Sequence, residues 1–317
     1  MKKVLVTGSA AYDFLLNHEG SFADGIATQP LSALSVAFVA QHMVRHHGGT
    51  GVNIAWNLHL LEEQPLLVTT VGQDGGEYRT LLKERGLDAT YIEKREDAMT
   101  ATAIVATDSD ERQITFFHPG ADQQGIWPAL QEGHEELACG IVSPRDTQLM
   151  LKAAQWCTNS GIPYYFDPGQ QLLAFSGDEL SRLVRGSAGV IVNEYEWGLL
   201  RKRIHSTEEN ILIQTPLLVM TRGEHGATFF AKDGPHIIPP CTPEHVVNPT
   251  GAGDAFRAGF LAGVRAGWDT VDCVRLGSAL GSFAVEETGT LMDSLDREQV
   301  WLRAERAYNE ELPMLKQ

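Results

Sequence analysis

The chain contains little cysteine and little positive charge, and both shortages restrict its function. Its four cysteines, Cys139, Cys157, Cys241 and Cys273, lie far apart and form no C-x-x-C pair, which predicts reduced, mostly buried thiols in a cytoplasmic protein. The chain has only 25 Lys and Arg residues but 41 Asp and Glu residues, so its formal net charge is −16. This charge disfavours nucleic acid or an anionic membrane as the main partner, but it allows an anionic small molecule at a local site.

Long apolar runs and the common nucleotide fingerprints are also missing. No apolar run approaches membrane-spanning length, and the run after Lys3 ends at Gly8, which is too short for a signal peptide and is predicted to be a first β-strand. Neither a G-x-x-x-x-G-K-[ST] P-loop nor a G-x-G-x-x-G dinucleotide fingerprint occurs. Any nucleotide phosphate must therefore be bound by another arrangement.

Short apolar runs alternate with helical patterns along most of the chain. Strands are predicted at 3–7, 66–71, 140–143, 163–167, 190–193 and 217–221, and helices at 52–62, 77–85, 146–160, 178–184 and 194–201. This order is typical of an α/β fold whose mostly parallel central sheet is covered by helices on both faces. The insertions 14–47 and 99–119 break the rhythm, and the second has a hairpin pattern. We expect one α/β core over residues 1–317, with a small β lid formed by these insertions.

The segment 248–256, Asn-Pro-Thr-Gly-Ala-Gly-Asp-Ala-Phe, carries the strongest chemical signal. Its three small residues Gly251, Ala252 and Gly253 allow backbone N–H groups to converge on an anion, and the predicted helix that follows adds its positive dipole end. Asp254 lies beside them, where its carboxylate could accept a proton from a hydroxyl. An anion cradle next to a base suits phosphoryl transfer to an alcohol. The alternative is an ordinary loop before an acidic helix start.

Two further polar segments lie near the amino terminus. Ser9 and Asp13 follow the first predicted strand, at the edge where open α/β sheets bind ligands, and Asp13 could accept hydrogen bonds from two neighbouring hydroxyls. A polar turn would give the same pattern. In the segment 48–53, Gly49 would allow close approach of a ligand, and Asn53 can both donate and accept. A flexible lead-in to a helix is the alternative there.

Two later loops and the lid aromatics complete the candidates. Asn193 and Glu196 are three residues apart at a helix start, which suits either water-mediated Mg²⁺ binding or a capping box. The segment 221–226 is either a hairpin turn or a loop against a nucleotide. One of Phe116 and Phe117 should face the site because they are consecutive on an alternating strand, and it could stack on a nucleobase. We favour Phe117, with Phe38 as a second candidate; filling the lid core is the alternative for all three.

Taken together, these residues resemble the ribokinase-like PfkB family of carbohydrate and purine kinases. The signatures of that family are similar to segments 48–58, 71–76 and 248–260. Segments 8–13, 167–171, 193–197, 253–260 and 287–290 resemble adenosine kinases of actinobacterial type. The resemblance implies a ribokinase-like three-layer α/β/α sandwich and transfer of phosphate from ATP to the 5′-hydroxyl of adenosine, with Mg²⁺ and often K⁺. It also implies a homodimer formed through the lid.

The resemblance also implies roles for individual residues. Asp254 would be the base, and Gly251, Ala252 and Gly253 the anion hole. The substrate side would comprise Ser9, Asp13, Gly49, Asn53, Phe117, Gln170 and Gln171, and the nucleotide side Asn193, Glu196, Thr221, Gly223 and Gly226. Glu196 would reach Mg²⁺ through water. Asn248 and Thr250 would belong to a K⁺ site, but many relatives have Asp at the first position, so K⁺ dependence is left open.

Several alternatives stay open at this point. The acceptor could be a free sugar such as ribose or fructose, and the protein could bind nucleotide without catalysing a reaction. An arginine near the purine in the similar adenosine kinases falls at about Ala174 here, which weakens the assignment to adenosine. Asp254 itself is expected to be a weak base, because a helix N-terminus favours the anionic form of a carboxylate.

Overall fold

The computed structural model describes residues 1–26 and 35–315, and their strands form a large central sheet and a small second sheet. The central sheet contains β1 (Lys3–Thr7), β4 (Pro65–Val71), β5 (Ile92–Lys94), β8 (Leu137–Val142), β9 (Tyr164–Phe166), β10 (Gly189–Asn193), β11 (Leu218–Thr221), β12 (Ala227–Ala231) and β13 (Gly234–Ile238). The small sheet contains β2 (Ala11–Asn17), β3 (His42–Gly48), β6 (Ala101–Thr107) and β7 (Gln113–His118).

The strand order of the central sheet, β13-β12-β11-β10-β9-β8-β1-β4-β5, confirms the predicted α/β class. From β5 to β11 all neighbouring strands are parallel, whereas β12 and β13 join as an antiparallel edge. Parallel strands place their carboxyl ends at one edge of the sheet, and the loops that follow them meet there. The candidate residues after β1, β10 and β11 are brought together in this way.

Helices cover both faces of the central sheet. They are α1 (Phe22–Ile26), α2 (Thr50–Leu60), α3 (Gly76–Glu84), α4 (Thr147–Asn159), α5 (Gly177–Gly186), α6 (Glu194–Arg203), α7 (Glu208–Ile211), α8 (Ala252–Ala266), α9 (Thr270–Ala284) and α10 (Arg297–Tyr308). Residues of α2, α3, α8, α9 and α10 form one apolar core, and residues of α4 to α7 form the other. In β1, Val4 and Val6 enter the first core while Leu5 enters the second. This alternation explains why the parallel strands are apolar throughout.

The lid, defined as β2, β3, β6 and β7, has the strand order β3-β2-β6-β7. Its β6–β7 pair is the hairpin that the sequence predicts. In the insertion 14–47, which was expected to contribute to the β lid, residues 27–34 lie outside the described ranges, 35–41 contain no strand, and β3 begins at His42. The sequence interpretation missed β2, because this strand is stabilised by pairing with β3 and β6, which are remote in the chain.

Candidate active site

The start of α8 has the geometry of an anion-binding helix terminus. Gly251 is the N-cap, with φ 89° and ψ −12°, a left-handed conformation that glycine adopts without strain. It has no side chain with which to cap the helix, so the N–H groups that follow Ala252 in the first turn have no side-chain cap, while the Ala252 N–H itself donates to the Pro249 carbonyl over 3.3 Å. The three small residues thus lie where the anion cradle was predicted, and Asp254 lies in the first turn beside them.

Two motifs that are remote in the sequence meet at Asp254. The Asn53 side chain, buried in the first turn of α2, donates from Nδ2 to Oδ2 of Asp254 over 2.7 Å. Within residues 1–26 and 35–315, Asn53 Oδ1 is buried and has no hydrogen-bond partner. Asn53 therefore holds the carboxylate with one end of its amide and offers an acceptor for a hydroxyl donor at the other end.

The electrostatic surroundings of Asp254 contradict the expectation of a weak base. Burial raises the pKa of Asp254 to about 6, although Arg257 and the hydrogen bond from Asn53 lower it. The nearby carboxylates of Asp13 and Glu196 raise it further. Desolvation thus outweighs the helix terminus, and Asp254 becomes a carboxylate suited to accept a proton near neutral pH.

Asp13 lies on the lid rather than in a turn. It occupies the middle of β2, and burial raises its pKa to about 6. In the lid sheet it pairs with Ala103 of β6, which in turn pairs with Phe117 of β7. Directly paired residues share a face of a sheet, so Asp13 and Phe117 lie on the same face and Phe116 lies on the other.

The other lid aromatics have different surroundings. Phe116 is 68% exposed, compared with 42% for Phe117. Phe38 packs edge-on against Phe22, with 4.9 Å between ring centroids, and lies 5.2 Å from the ring of His18. Phe38 therefore fills a small apolar cluster, which is the alternative that the sequence left open. Phe117 is the aromatic that shares a face of the lid sheet with Asp13.

Ser9 and Gly49 fix the start of α2 against the end of β1. The Ser9 side chain accepts a hydrogen bond from the Thr50 N–H over 3.2 Å, and its carbonyl accepts one from the Gly51 N–H over 3.0 Å. Gly49 has φ 97°, and a Cβ there would approach the Ala11 nitrogen to 2.6 Å. The chain thus requires glycine at this position for backbone packing. Contacts of Ser9 and Gly49 with a substrate stay predictions.

Asn193 and Glu196 form the capping box that was the alternative to a metal motif. Asn193 Oδ1 accepts from the Glu196 N–H, and Glu196 Oε2 accepts from the Asn193 N–H, both over 2.8 Å. This arrangement uses one of the two carboxylate oxygens of Glu196, which lies near enough to Asp254 to raise its pKa. In the described part of the chain, no group of three or more His, Cys, Asp and Glu residues could hold a metal ion. A single carboxylate such as that of Glu196 fits the ligands of Mg²⁺, which keeps several waters and binds one or two carboxylates together with substrate phosphates.

The loop at 221–226 lies directly beside this capping box. Thr221 is in register with Asn193 on the neighbouring strand, and Arg222 Nε donates to Glu194 Oε1 over 2.9 Å. The loop connects the antiparallel strands β11 and β12, so the hairpin interpretation is confirmed. Gly223 has open space around it, whereas a Cβ at Gly226 would lie 2.2 Å from the carbonyl oxygen of Ile238. Backbone packing accounts for Gly226, and Gly223 leaves room for a nucleotide.

An ion pair that the sequence interpretation missed supports the start of α8. Arg257 faces both carboxylate oxygens of Asp167: its Nη2 donates a hydrogen bond to Oδ1 over 2.8 Å, and its Nε lies at an ion-pair distance of 2.6 Å from Oδ2. Burial lowers the pKa of Arg257, but Asp167, Glu196 and Asp254 outweigh this and keep it raised. Gln170 and Gln171 follow Asp167 in a short 3₁₀ turn; Gln170 is exposed and Gln171 half-buried. Their contact with a purine stays a prediction.

A second buried ion pair joins the lid to the sheet edge. Arg145 lies after β8 and donates to Asp122 over 2.6 Å, to Thr7 over 2.9 Å and to Thr70 over 3.0 Å. Asp122 belongs to the short helix that follows the last lid strand. In the sequence, the signal for this ion pair was Arg145 itself, a charged residue shortly after an apolar strand. Such a residue does not by itself specify its partner.

At the predicted K⁺ site, the side chain of Asn248 is already hydrogen-bonded at both ends. Its Nδ2 donates to the carbonyl oxygen of Thr288 over 2.9 Å, and its Oδ1 accepts from the Thr250 N–H over 3.0 Å. The loop that contains Thr288 continues to Thr290, which packs against Gly251. One of the groups at this position is thus an N–H hydrogen-bond donor, whereas a cation would require an oxygen ligand there.

Comparison with known proteins places this geometry in a family. The model of the pfkB family of carbohydrate kinases matches residues 1–297. The chain belongs to this family. It is 30% identical over 298 residues to a nucleoside kinase of Methanothermobacter thermautotrophicus, with 91% of each chain covered.

Solved structures of PfkB kinases agree with this assignment. The nucleoside kinase of Burkholderia thailandensis in complex with inosine gives a TM-score of 0.87 at 33% identity, covering 97% of this chain and 99% of the other. The ADP-inosine complex of the same enzyme gives a TM-score of 0.85. The chain has the ribokinase-like fold and is an ATP-dependent kinase that acts on a hydroxyl acceptor. In the ranges that the structure describes, every helix is too short or too polar to span a bilayer.

Proposed function

We propose that this PfkB kinase transfers the γ-phosphoryl group of ATP to the 5′-hydroxyl of a nucleoside. The observation that carries the proposal is the pairing of Asp13 with Ala103 and of Ala103 with Phe117 across the lid sheet. Because of this pairing, Asp13 and Phe117 share one face. Asp13 would accept hydrogen bonds from the ribose hydroxyls, and Phe117 would stack on the base. A free sugar has no flat π surface to stack on the aromatic ring.

In the proposed mechanism, Asp254 accepts the proton of the 5′-hydroxyl as the hydroxyl oxygen attacks the γ-phosphorus of ATP. The bond from that phosphorus to the β–γ bridging oxygen breaks, and ADP leaves. Asn53 keeps the carboxylate in place through the hydrogen bond described above and binds a ribose hydroxyl with its buried Oδ1. The N–H groups at Gly251, Ala252 and Gly253 stabilise the negative charge on the transferred group. Because the transition state of phosphoryl transfer is loose, positioning contributes more than base strength.

The nucleotide would bind along the neighbouring loops. Thr221 and Gly223 would contact ATP, and Mg²⁺, which would neutralise charge on the phosphates, would be held through water by Glu196 with Asn193 as its neighbour. The register of β10 and β11 supports this assignment, since Asn193 and Thr221 are paired at the ends of their strands. Glu196 in turn lies near enough to Asp254, in the first turn of α8, to raise its pKa. Gly226 serves the hairpin itself.

Within the nucleosides, we propose a purine acceptor, with adenosine first. The segments similar to actinobacterial adenosine kinases favour adenosine, and the Burkholderia relative was solved with inosine. Gln170 and Gln171, which follow the buried Asp167 in a short 3₁₀ turn, would contact the base. Ala174 in place of an arginine is the feature that argues against strict selectivity for adenosine.

A substrate panel tests the proposal directly. ADP release is measured with adenosine, inosine, guanosine, cytidine, ribose and fructose at equal concentration. We expect turnover on nucleosides, with the purine nucleosides fastest. Turnover on the free sugars alone would refute a nucleoside acceptor while keeping the kinase chemistry. Absence of turnover on every acceptor, in protein that still binds ATP, would favour a silent nucleotide-binding protein.

We also propose a homodimer formed through the lid, in the cytoplasm. The lid exposes large apolar side chains, among them Met43, Val44, Ile104 and Phe116, on both of its faces. An apolar surface of this kind is typical of a protein contact. All four cysteines are free and buried, which suits a reducing compartment. The molar mass in solution, measured by light scattering, tests the dimer, and a monomer at micromolar concentration would contradict it.

A further inference from the structure

The loop that supports the anion hole depends on Asn248. This loop, defined as residues 285–290, receives three hydrogen bonds from segment 247–248: from the Val247 N–H and the Asn248 N–H to the Val285 carbonyl, over 2.8 and 3.1 Å, and from Asn248 Nδ2 to the Thr288 carbonyl. At its other end, Thr290 lies 3.2 Å from the position that a Cβ of Gly251 would occupy. The loop therefore fixes the N-cap of α8.

The orientation of the Asn248 amide is set by its two partners. Its Oδ1 faces an N–H donor, that of Thr250, and its Nδ2 faces a carbonyl acceptor, that of Thr288. Exchanging the two ends would place donor against donor and acceptor against acceptor, so only one orientation satisfies both bonds. The Nδ2–H group therefore points at the loop carbonyl.

A monovalent cation would compete with this donor for the same oxygen atoms. Potassium is bound in proteins by carbonyl oxygens that replace its hydration shell. Here the carbonyls of Val285 and Thr288 already accept N–H groups, and Asn248 presents a neutral amide instead of a carboxylate. An aspartate at this position would oppose the Thr288 carbonyl with negative charge, and a cation between them would relieve the repulsion.

We propose that the Asn248 amide takes the place of a monovalent cation, so that this kinase works without K⁺. The partial positive charge of the Nδ2–H group lies between segment 248–250 and loop 285–290, where the charge of a cation would otherwise lie. The inference concerns the same site as the proposed function and rests on it for the activity measurement only.

Replacing Asn248 by aspartate tests the proposal, with Asn159→Asp as the matched control. Asn159 is at the last position of α4 and accepts a side-chain bond from Gln155 on the exposed surface. Phosphoryl transfer and the unfolding temperature are measured in KCl and in choline chloride at equal ionic strength. We expect equal values in both salts for the wild type and for Asn159→Asp. For Asn248→Asp we expect a rate about tenfold lower in choline, since a bond is lost and a carboxylate opposes a carbonyl.

The same experiment contains the results that would overturn the proposal. Potassium should restore the rate of Asn248→Asp and raise its unfolding temperature. A wild-type enzyme whose rate or unfolding temperature rises specifically with K⁺ would refute the proposal, and so would an Asn248→Asp variant that behaves identically in both salts. If no nucleoside is phosphorylated, the proposed function fails, while the unfolding temperatures still decide the role of Asn248.

Discussion

Arg257 forms a buried ion pair with Asp167 and thereby ties the first turns of α8 to the end of β9. The same helix carries a second buried ion pair, between Arg265 and Glu63, remote from the site. The arginine side chains of the two pairs are 9% and 7% exposed, and both carboxylate side chains are 1% exposed. The two pairs thus differ in location more than in burial, which makes one a control for the other.

Arg257→Lys is expected to reduce both stability and turnover. Lysine keeps the positive charge but lacks the planar guanidinium that faces both carboxylate oxygens, so part of the pairing is lost and the free energy of unfolding should fall by about 1–3 kcal/mol. Because the start of α8 shifts with the pair, kcat should fall by at least tenfold. Arg265→Lys should lose comparable stability and keep its kcat within about threefold of the wild type. Equal losses of kcat in the two variants would contradict a positioning role for Arg257.

Asp254→Asn is expected to abolish most turnover and to stabilise the fold. The kcat should fall by about 10²–10⁴-fold while the KM for the nucleoside changes little, because the variant lacks the base but keeps the shape. Burial raises the pKa of Asp254 above its value in the unfolded chain, so folding disfavours the ionised form. The variant should therefore unfold at a higher temperature at pH 7.5.

The stability gain of Asp254→Asn should depend on pH in a defined direction. Protonation of Asp254 stabilises the folded wild type as the pH falls through about 6, so the advantage of the variant should shrink toward pH 4. Unfolding temperatures at several pH values check this. Near-normal turnover would exclude Asp254 from the mechanism, and a lower unfolding temperature at pH 7.5 would contradict its disfavoured ionisation.

The activity of the wild type should have an acidic limit near pH 6. The base must be ionised to accept a proton, so kcat should decline as the pH falls through the pKa of Asp254, which burial raises to about 6. Asp13→Asn removes a charge that raises this pKa, and the limit should shift to lower pH in the kcat profile of that variant. A profile that is flat from pH 8 to 4.5, or an unchanged limit in Asp13→Asn, would oppose this account.

Phe117→Ala and Phe116→Ala form a matched pair on opposite faces of one strand. Loss of the aromatic contact should raise the KM for the nucleoside by about fivefold to tenfold in Phe117→Ala. Phe116→Ala should leave the KM unchanged, since its side chain lies on the other face of the lid. Steady-state kinetics at saturating ATP measure both. The opposite result would place Phe116 against the substrate, and two unchanged KM values would remove the lid aromatics from recognition.

The sequence was sufficient for the class of fold and for the residues at strand ends, because both depend on local patterns. The alternation of apolar runs and helical patterns specified the central sheet, and the small residues at 251–253 indicated the anion cradle. Strand β2 was not recognised, since its stability comes from partners on both sides that are remote in the chain. The pKa of Asp254 was predicted in the wrong direction, because burial depends on the packing of the whole site.

The bond between Asn53 and Asp254 joins positions that are 201 residues apart. Neither half of the polypeptide can form this bond alone, and burial raises the pKa of the Asp254 carboxylate only after both halves have docked. Enzymatic activity should therefore be the last signal to return during refolding from denaturant, later than far-ultraviolet circular dichroism. A time course of turnover would thus record the docking of two segments that are remote in the chain.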